Sequence, residues 1–227
     1  MINHHPHDDL LLGLTAGSLD SGPYLVVASH VEGCAHCQAR LQTMEVIGGA
    51  MLEELEPAVM HPEALATTLA AIDGGEGSAA QARPTAIAQA RTAVDPARPD
   101  LPEGVSWPRS MKGCSVTRWR WLGPGMRWSR VTLPHDRSAN VFLLRIGAGK
   151  KLPVHTHSDC ELTHVLYGTF DDGRAVFGPG DFDEADTEIL HQPVVQAGCE
   201  CICLAAVSGR VLFQGAVARF FGSMVGM

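Results

Sequence analysis

The sequence lacks a long apolar segment, a basic leader and an internal repeat. No apolar run approaches the roughly 18 residues that a membrane-spanning helix needs. The first residues, MINHHPHDDLLLGL, carry no lysine or arginine ahead of their short apolar stretch, which argues against a secretory signal peptide. Aromatic residues are only 6% of the 227, yet 45% are hydrophobic, so packed cores are expected and wholesale disorder is excluded. We therefore expect a cytoplasmic protein with no membrane contact.

Basic side chains are scarce in the first third of the chain. Residues 1–73 contain ten acidic residues and one basic residue, Arg40, whereas residues 101–227 contain twelve acidic and thirteen basic residues. The net charge of −8 therefore comes from the front of the chain. A surface this acidic repels nucleic acid and suits a basic protein partner, and a merely solvated helical surface is the alternative.

The spacing of apolar residues divides the chain into three regions. Residues 1–73 show helical spacing, with breaks expected at residues 17–23, at Gly33 and at residues 57–62, which predicts a small domain of about four helices. Residues 74–102 are rich in glycine, alanine and proline and are expected to form a linker. The methionines of the helical region are interpreted as core, with an adaptable partner-binding face as the alternative: Met44, Met51 and Met60.

The remainder of the chain changes to short alternating runs separated by glycine and proline. This pattern predicts an all-β domain, a sandwich or a barrel, over residues 103–210, so that the whole chain is α+β and multidomain. The expected strands cover residues 115–121, 126–131, 140–146, 162–167 and 201–207. Phenylalanines and arginines in residues 211–227 are spaced as in an amphipathic helix that packs on the β domain.

A first set of metal-binding residue types lies in the helical region. His30, Cys34 and Cys37 are spaced as zinc ligands, and a fourth ligand could come from the N-terminal histidines, His4, His5 and His7. In one continuous helix His30 and Cys37 would be about 10 Å apart along the axis, so a break is expected at Gly33. A redox-active cysteine pair is the alternative, but it normally occurs in a βαβ context. His36 is expected to face solvent.

A second set lies in the β region. His155 and His157 are two apart on a strand and so face one side, Glu161 can join them after a turn, and His191 is the best-placed fourth ligand. Three imidazoles and one carboxylate suit Zn, Mn, Fe or Ni. His164 differs from Glu161 by an odd number and is expected to face away.

Four cysteines of the β region are interpreted as buried thiols. Cys160 adjoins Glu161, and Cys199, Cys201 and Cys203 alternate on a predicted strand and would share one face. Oxidation sensitivity is the alternative for all four.

The segment from His5 through Asp9, Leu10 and Leu11 to His30, Cys34 and Cys37 resembles the zinc-containing anti-sigma domain. The run from Gly149 to Gly168, which contains His155, His157 and Glu161, matches the spacing of the first cupin motif. The second cupin motif is degraded, because Pro179 and Gly180 are adjacent and His191 comes late, although a late histidine followed by proline is similar to ChrR-type cupins. The whole chain resembles the ChrR-type anti-sigma factors, which join the two domains.

That resemblance implies several properties. His5 would be the fourth zinc ligand, and the front domain would bind an extracytoplasmic-function sigma factor and block its access to core RNA polymerase. The cupin would sense oxidative stress, singlet oxygen in particular, with no catalysis and no direct contact with nucleic acid. A dioxygenase-like cupin metalloenzyme with a helical accessory domain and a redox-switch chaperone are the alternatives. The oligomeric state stays open.

Overall fold

The computed structural model describes residues 1–73 and 98–213. Among these residues the chain forms two compact units, one made of residues 1–46 and 98–213 and the other of residues 47–73. The domain boundary expected at residue 73 thus differs from the division in the structure, because the first helices pack against the β region. Residues 74–97 of the expected linker lie outside the described residues.

Four helices form in the front region, as the sequence predicts: α1 (Asp8–Ala16), α2 (Ser21–Gly33), α3 (Ala35–Glu53) and α4 (Ala64–Asp73). α1 ends because Gly17 adopts a left-handed conformation, with φ of 66°, and caps the helix with its backbone N–H. α2 ends at Gly33, and the chain turns at Cys34, whose extended φ and ψ are −111° and 100°. The expected break between His30 and Cys37 therefore exists, one residue after the predicted glycine.

The β region contains a 3₁₀ turn at Arg109–Met111 and twelve strands. The strands are β1 (Ser115–Val116), β2 (Arg120–Gly123), β3 (Met126–Thr132), β4 (Val141–Ile146), β5 (His155–His157), β6 (Glu161–Tyr167), β7 (Phe170–Asp171), β8 (Val176–Phe177), β9 (Phe182–Ala185), β10 (Val194–Val195), β11 (Cys201–Val207) and β12 (Val211–Phe213).

Four of the five expected strands form at the expected places, and the first is divided. Val116 pairs with Val131, and Arg120 pairs with Trp128, so three residues on one side oppose two on the other. The extra residue is a β-bulge, which interrupts the run expected at residues 115–121 and leaves two strands, β1 and β2.

All strand pairs among residues 98–213 are antiparallel. The largest sheet has the order β1-β3-β4-β11-β6-β9, with β2 also on β3, while β10-β7-β8 and β12-β5 form two smaller sheets. Within residues 98–213 these ladders do not join into one closed barrel, so the expected barrel exists as three separately hydrogen-bonded sheets.

The large sheet is covered on both faces. Val141 and Leu143 of β4 belong to a core that includes the apolar face of α2, whereas Phe142 and Leu144 belong to the core on the opposite face. Both sides of β4 are buried, which explains why its sequence, VFLLRI, is almost continuously apolar. α2 thereby becomes part of the β unit.

Two further expectations were wrong. Val211–Phe213 are not helical but form β12, which pairs with β5 and sets the Phe213 ring 5.5 Å from that of His155. The rest of the expected tail helix, 214–227, lies outside the described residues. Met51 and Met60 are not core residues, because 64% and 70% of their surfaces are exposed, while Met44 is half-buried.

Among the described residues no single helix is both long and apolar enough to cross a membrane. α1 and α2 together have the required length and composition, but the chain bends by 108° between them.

Candidate metal centres

The front cluster brings together one histidine from the N-terminal segment and three residues from the junction of α2 and α3. His5 Nδ1 lies 3.3 Å from Cys34 Sγ and 3.4 Å from Cys37 Sγ, and His30 Nε2 lies 3.3 Å from Cys37 Sγ. The three donors from α2 and α3 are buried and His5 is half-buried. The extended conformation at Cys34 is what brings the two cysteines to the end of α2.

These separations fit one tetrahedral ion. Zinc bonds of about 2.0 Å to nitrogen and about 2.3 Å to sulfur set neighbouring ligand atoms about 3.5 Å apart. The His30 ring is oriented by its other nitrogen, since Nδ1 lies 2.8 Å from the Gly180 carbonyl oxygen and must donate to it. The lone pair of His30 Nε2 is therefore left to face the cysteines.

Burial favours the neutral forms of the free ligands in the front cluster. Burial, a hydrogen bond to Cys34 and the nearby Cys34 charge raise the pKa of the Cys37 thiol to about 12. Burial also lowers the pKa of His30 to about 4, which keeps the ring neutral. Thiolates buried at neutral pH require a neighbouring positive charge, and a divalent ion held by neutral imidazoles supplies it.

The other histidines of the front region lie elsewhere. The His4 ring packs on Phe177 at 4.6 Å between centroids, and His7 Nδ1 lies 3.6 Å from Glu184. His36 is exposed, as expected, although its ring lies 4.5 Å from that of His5. Of the three N-terminal histidines left open by spacing, only His5 faces the cysteines.

The N-terminal segment that carries His5 is held along β9. The backbone N–H groups of Asn3 and His4 both donate to Asp181 Oδ1, at 2.6 and 3.0 Å, and Phe182 N donates to the His4 carbonyl at 3.1 Å. The sequence did not reveal this attachment, because the segment and β9 are about 180 residues apart.

The second cluster joins β5, the start of β6 and a residue that precedes β10. Nε2 of His191 lies 3.1 Å from Nε2 of His155 and 3.4 Å from Nε2 of His157. Glu161 Oε2 lies 3.1, 3.8 and 4.0 Å from the same nitrogen atoms of His157, His155 and His191. His155 and His191 also exchange two backbone hydrogen bonds, of 3.0 and 3.1 Å, which fixes the late histidine beside β5.

This cluster also fits a cation. His155 Nδ1 donates to the Pro153 carbonyl at 2.8 Å, so its Nε2 carries a free lone pair aimed at the other rings. Three Nε2 atoms this close cannot all be satisfied by hydrogen bonds to one another. A carboxylate oxygen and three imidazole Nε2 atoms therefore converge on one point.

His164 faces away from this cluster, as expected from its odd spacing to Glu161. Its Nδ1 lies 2.7 Å from Ser29 Oγ of α2, and its ring centroid is 5.7 Å from that of His30. Burial lowers the pKa of His164 to about 3, so the ring is neutral. The sequence missed this contact, because no local pattern indicated that α2 covers β6.

Three further charged residues next to the second cluster were also missed by sequence reasoning. They are Asp172, Arg174 and Asp183. The two aspartates form a buried group with His191, and the guanidinium of Arg174 binds both carboxylates. Asp172 and Arg174 belong to the short turn between β7 and β8. Their only local signal is the Asp-Asp-Gly-Arg run, which predicts a turn and nothing about its neighbours.

The cysteines of the β region differ from one another. Cys201 and Cys203 share the inner face of β11, with their sulfur atoms 3.6 Å apart, whereas Cys199 precedes the strand and is exposed. The expectation that all three share one face was therefore wrong for Cys199. Cys201 and Cys203 line a cavity of about 40 Å³ that also borders Glu161 and His191.

Comparisons with known proteins agree with this arrangement. Residues 109–208 match the ChrR Cupin-like domain. The chain is 37% identical over 214 residues to the Anti-sigma-E factor ChrR of Cereibacter sphaeroides, which covers 94% of this chain and 93% of that protein. The chain belongs to the ChrR family. The fold is also similar to a chain in the crystal structure of Rhodobacter sphaeroides SigE in complex with the anti-sigma ChrR. The match covers 92% of this chain and 100% of that chain, with 33% identity and a TM-score of 0.68.

The match to ChrR includes the front helices as well as the cupin-like region.

Proposed function

We propose that this protein binds an extracytoplasmic-function sigma factor, keeps it from core RNA polymerase, and releases it on an oxidative signal, singlet oxygen in particular. The observation that carries the proposal is the match to ChrR over nearly the whole chain, because a matched ChrR was solved with SigE. The protein would act in the cytoplasm as a regulator without enzymatic activity.

The surface of the unit formed by residues 47–73 supports the proposal that a protein partner binds there. It presents large apolar side chains at half or more exposure on the last turns of α3, on α4 and between them: Ile47, Met51, Leu52, Leu55, Val59, Met60, Leu65, Leu69 and Ile72. Exposed apolar side chains in such number mark an interaction surface. Acidic residues lie among them, including Glu53, Glu54 and Glu56, so the surface suits a partner with apolar and basic groups.

We assign zinc to the front cluster of His5, His30, Cys34 and Cys37. Two thiolates and two imidazoles with four protein donors make a closed site, which stabilises a fold and leaves no position for a substrate. Its role would be to hold α2, α3 and the N-terminal segment together.

We assign a second divalent ion, Zn, Mn, Fe or Ni, to His155, His157, Glu161 and His191. An oxidant could alter the ligands of such an ion, and this change would be the signal. The convergence of three Nε2 atoms and one carboxylate supports the assignment, and the donor set does not select among the four metals.

β6 offers a direct route from this site to the helices. Glu161 begins β6 and faces the second cluster, while His164, three residues later, contacts Ser29 of α2 on the other face of the sheet. α2 also carries His30 of the front cluster. A change at Glu161 that shifts β6 would therefore act on the helix that holds the zinc ligands.

Two thiols of the β region, those of Cys160 and Cys203, are poorly suited to sense the oxidant. A hydrogen bond with Cys201 and burial raise the pKa of Cys203, and burial with neighbouring acidic charges raises the pKa of Cys160 to about 12. Reactive cysteines are instead exposed and have a lowered pKa. This contrast supports the metal cluster as the sensing site.

The alternative of a cupin metalloenzyme is disfavoured by the space beside the second cluster. The cavity there measures about 40 Å³. Pockets that bind small-molecule substrates are typically about 300 to 1,000 Å³. The cavity has room for a water molecule or a small oxidant and not for an organic substrate.

The test is transcription in vitro with the full chain and the sigma factor that copurifies with it from the native host. The wild type is expected to inhibit transcription and to lose inhibition when a photosensitiser generates singlet oxygen. The variant His155→Ala is expected to inhibit normally and not respond. His135→Ala, which removes an exposed histidine outside both clusters, is the matched control and is expected to behave as the wild type.

Absence of any copurifying sigma factor, together with no effect on transcription, would contradict sequestration. A normal response in His155→Ala would contradict the sensing role alone. Multiple turnovers of dioxygen consumption with small acids or thiols would favour the metalloenzyme instead.

A further inference from the structure

The buried carboxylate of Asp172 faces Nδ1 of His191, the ring nitrogen that points away from the second cluster. Nε2 of His191 belongs to the second cluster, and its other ring nitrogen, Nδ1, lies 3.6 Å from Asp172 Oδ2. His191 Nδ1 is buried and has no hydrogen-bond partner among the described residues, and the Asp172 carboxylate at 3.6 Å is the acceptor that it faces. The Asp172 side chain is fully buried, with 0% of its surface exposed.

Strand pairing sets this juxtaposition. β10 begins three residues after His191 and pairs with β7, with Val194 opposite Asp171. The β7–β8 turn then begins at Asp172, and Gly173 at φ of 88° lets the chain reverse within two residues. The position of Asp172 beside His191 is therefore built by the sheet and not by a mobile loop.

Asp172 is itself held firmly. Its Oδ1 accepts backbone N–H groups from Arg174 and Ala175, at 2.9 and 3.1 Å, and its Oδ2 accepts Nε of Arg174 at 2.6 Å. Arg174 also donates to Asp183 Oδ1 at 2.7 Å. The guanidinium thus lies between the two buried carboxylates.

The competing interpretation is an additional metal ion, besides the one proposed for the second cluster. Asp172, Asp183 and His191 would bind it, because their ligand atoms lie close to one another. Arg174 argues against it. The guanidinium already pairs with both carboxylates, and a divalent ion placed between them would meet a fixed positive charge.

We propose that Asp172 is a positioning residue for the metal of the second cluster, and this proposal rests on the metal proposed there. It keeps the proton of His191 on Nδ1 and the Nε2 lone pair directed at the ion, and Arg174 and Asp183 hold Asp172 in place. Carboxylates that accept from the outer nitrogen of a metal-binding histidine fix its tautomer and increase its basicity.

The test compares Asp172→Asn with Asp171→Asn in the full chain. The control removes the same charge from the neighbouring residue, whose side chain is exposed. Zn²⁺ affinity is measured by competition with a chromophoric chelator, and the His191 ring protons are followed by long-range ¹H–¹⁵N correlation. The Asp172→Asn substitution is expected to lower Zn²⁺ affinity of the second cluster about 10- to 100-fold and to shift the Nδ1–H resonance. Asp171→Asn is expected to change neither.

Unchanged affinity and an unchanged Nδ1–H resonance in Asp172→Asn would overturn the proposal. If that variant does not fold, the wild type alone decides, because metal-free protein in which His191 carries its proton on Nε2 contradicts the proposal. A third zinc equivalent that disappears in Asp172→Asn would establish the competing interpretation, an additional ion bound by Asp172, Asp183 and His191. Wild-type protein that binds zinc only at the front cluster would refute the second metal itself, which is a separate result from failure of sigma-factor binding.

Discussion

His30 is joined to Gly180 by a hydrogen bond of 2.8 Å between its Nδ1 and the glycine carbonyl oxygen, across 150 residues of sequence. The same histidine faces Cys37 with its other nitrogen. The outer partner of the front cluster therefore belongs to the β region, in the loop that leads into β9. The two domains expected from sequence are coupled at the level of a single imidazole ring.

Asp181→Asn is expected to speed zinc loss from the front cluster. The buried carboxylate accepts the backbone N–H groups of Asn3 and His4 at Oδ1 and that of Gly178 at Oδ2. An amide keeps only one acceptor oxygen, so it leaves at least one of these donors without its partner, at a cost of about 1 to 3 kcal/mol. The segment that carries His5 would then detach more often. The measurement is the rate of zinc transfer to a chelator, with Asp159→Asn, an exposed carboxylate, as control. Equal rates in both variants would contradict the attachment.

Cys37→Ala is expected to unfold the region around α2 and to abolish inhibition of the sigma factor. Structural zinc contributes on the order of 10 kcal/mol in small domains, comparable to the whole stability of a domain. Helicity, zinc content and thermal unfolding of the full chain report the effect. Cys114→Ala removes a thiol of similar burial outside the cluster and is expected to cost about 1 kcal/mol. A folded, inhibitory Cys37→Ala protein would mean that zinc is not structural.

His164→Ala is expected to lower stability without changing metal affinity at the second cluster. The change leaves Ser29 Oγ without its partner and creates a cavity between α2 and β6, for a total of about 2 to 4 kcal/mol. A double-mutant cycle with Ser29→Ala measures the coupling between the two residues. If β6 transmits the signal, His164→Ala retains the metal and responds more weakly to singlet oxygen. Loss of the metal would show that His164 supports the cluster directly.

Gly168→Ala is expected to be far more destabilising than Gly149→Ala. Both glycines have positive φ, 73° and 67°, so both substitutions incur a backbone cost of about 1 to 2 kcal/mol. Only at Gly168 does an added Cβ also collide with the Glu200 carbonyl and come within 2.8 Å of Cys201 Cα, whereas it has open space at Gly149. Denaturant unfolding of the two variants separates the collision from the shared backbone cost. Equal losses would contradict the close approach of β6 and β11.

Leu69→Ala is expected to weaken sigma-factor binding at least tenfold and to leave stability within about 0.5 kcal/mol of the wild type. Half of the Leu69 surface is exposed, so the folded chain loses little when it is shortened. Thr67→Ala, an exposed polar residue of the same helix, is the control. Titration calorimetry with the copurified sigma factor is the measurement. Unaltered binding would move the contact surface away from this part of α4.

The helices, the main strands and the residues of both donor clusters were predictable because their signals are local. Helical spacing and the breaks near Gly17 and Gly33 depend on neighbours within a few residues, and the alternation of His155 and His157 follows from strand geometry alone. Resemblance to ChrR-type proteins added His5, which spacing left open, and supported the late His191.

The sequence by itself determined the composition of each cluster, the order of helical and β regions and the acidic front. Only the tertiary structure decided that α2 covers the sheet, that the N-terminal segment lies along β9, and that Asp172 and Arg174 stand behind His191. These contacts join residues about 20 to 180 positions apart, and such pairing depends on how strands and helices pack and not on any local pattern. For the same reason Val211–Phe213 became a strand, because the open edge of β5 offered backbone hydrogen bonds that a helical propensity could not reveal.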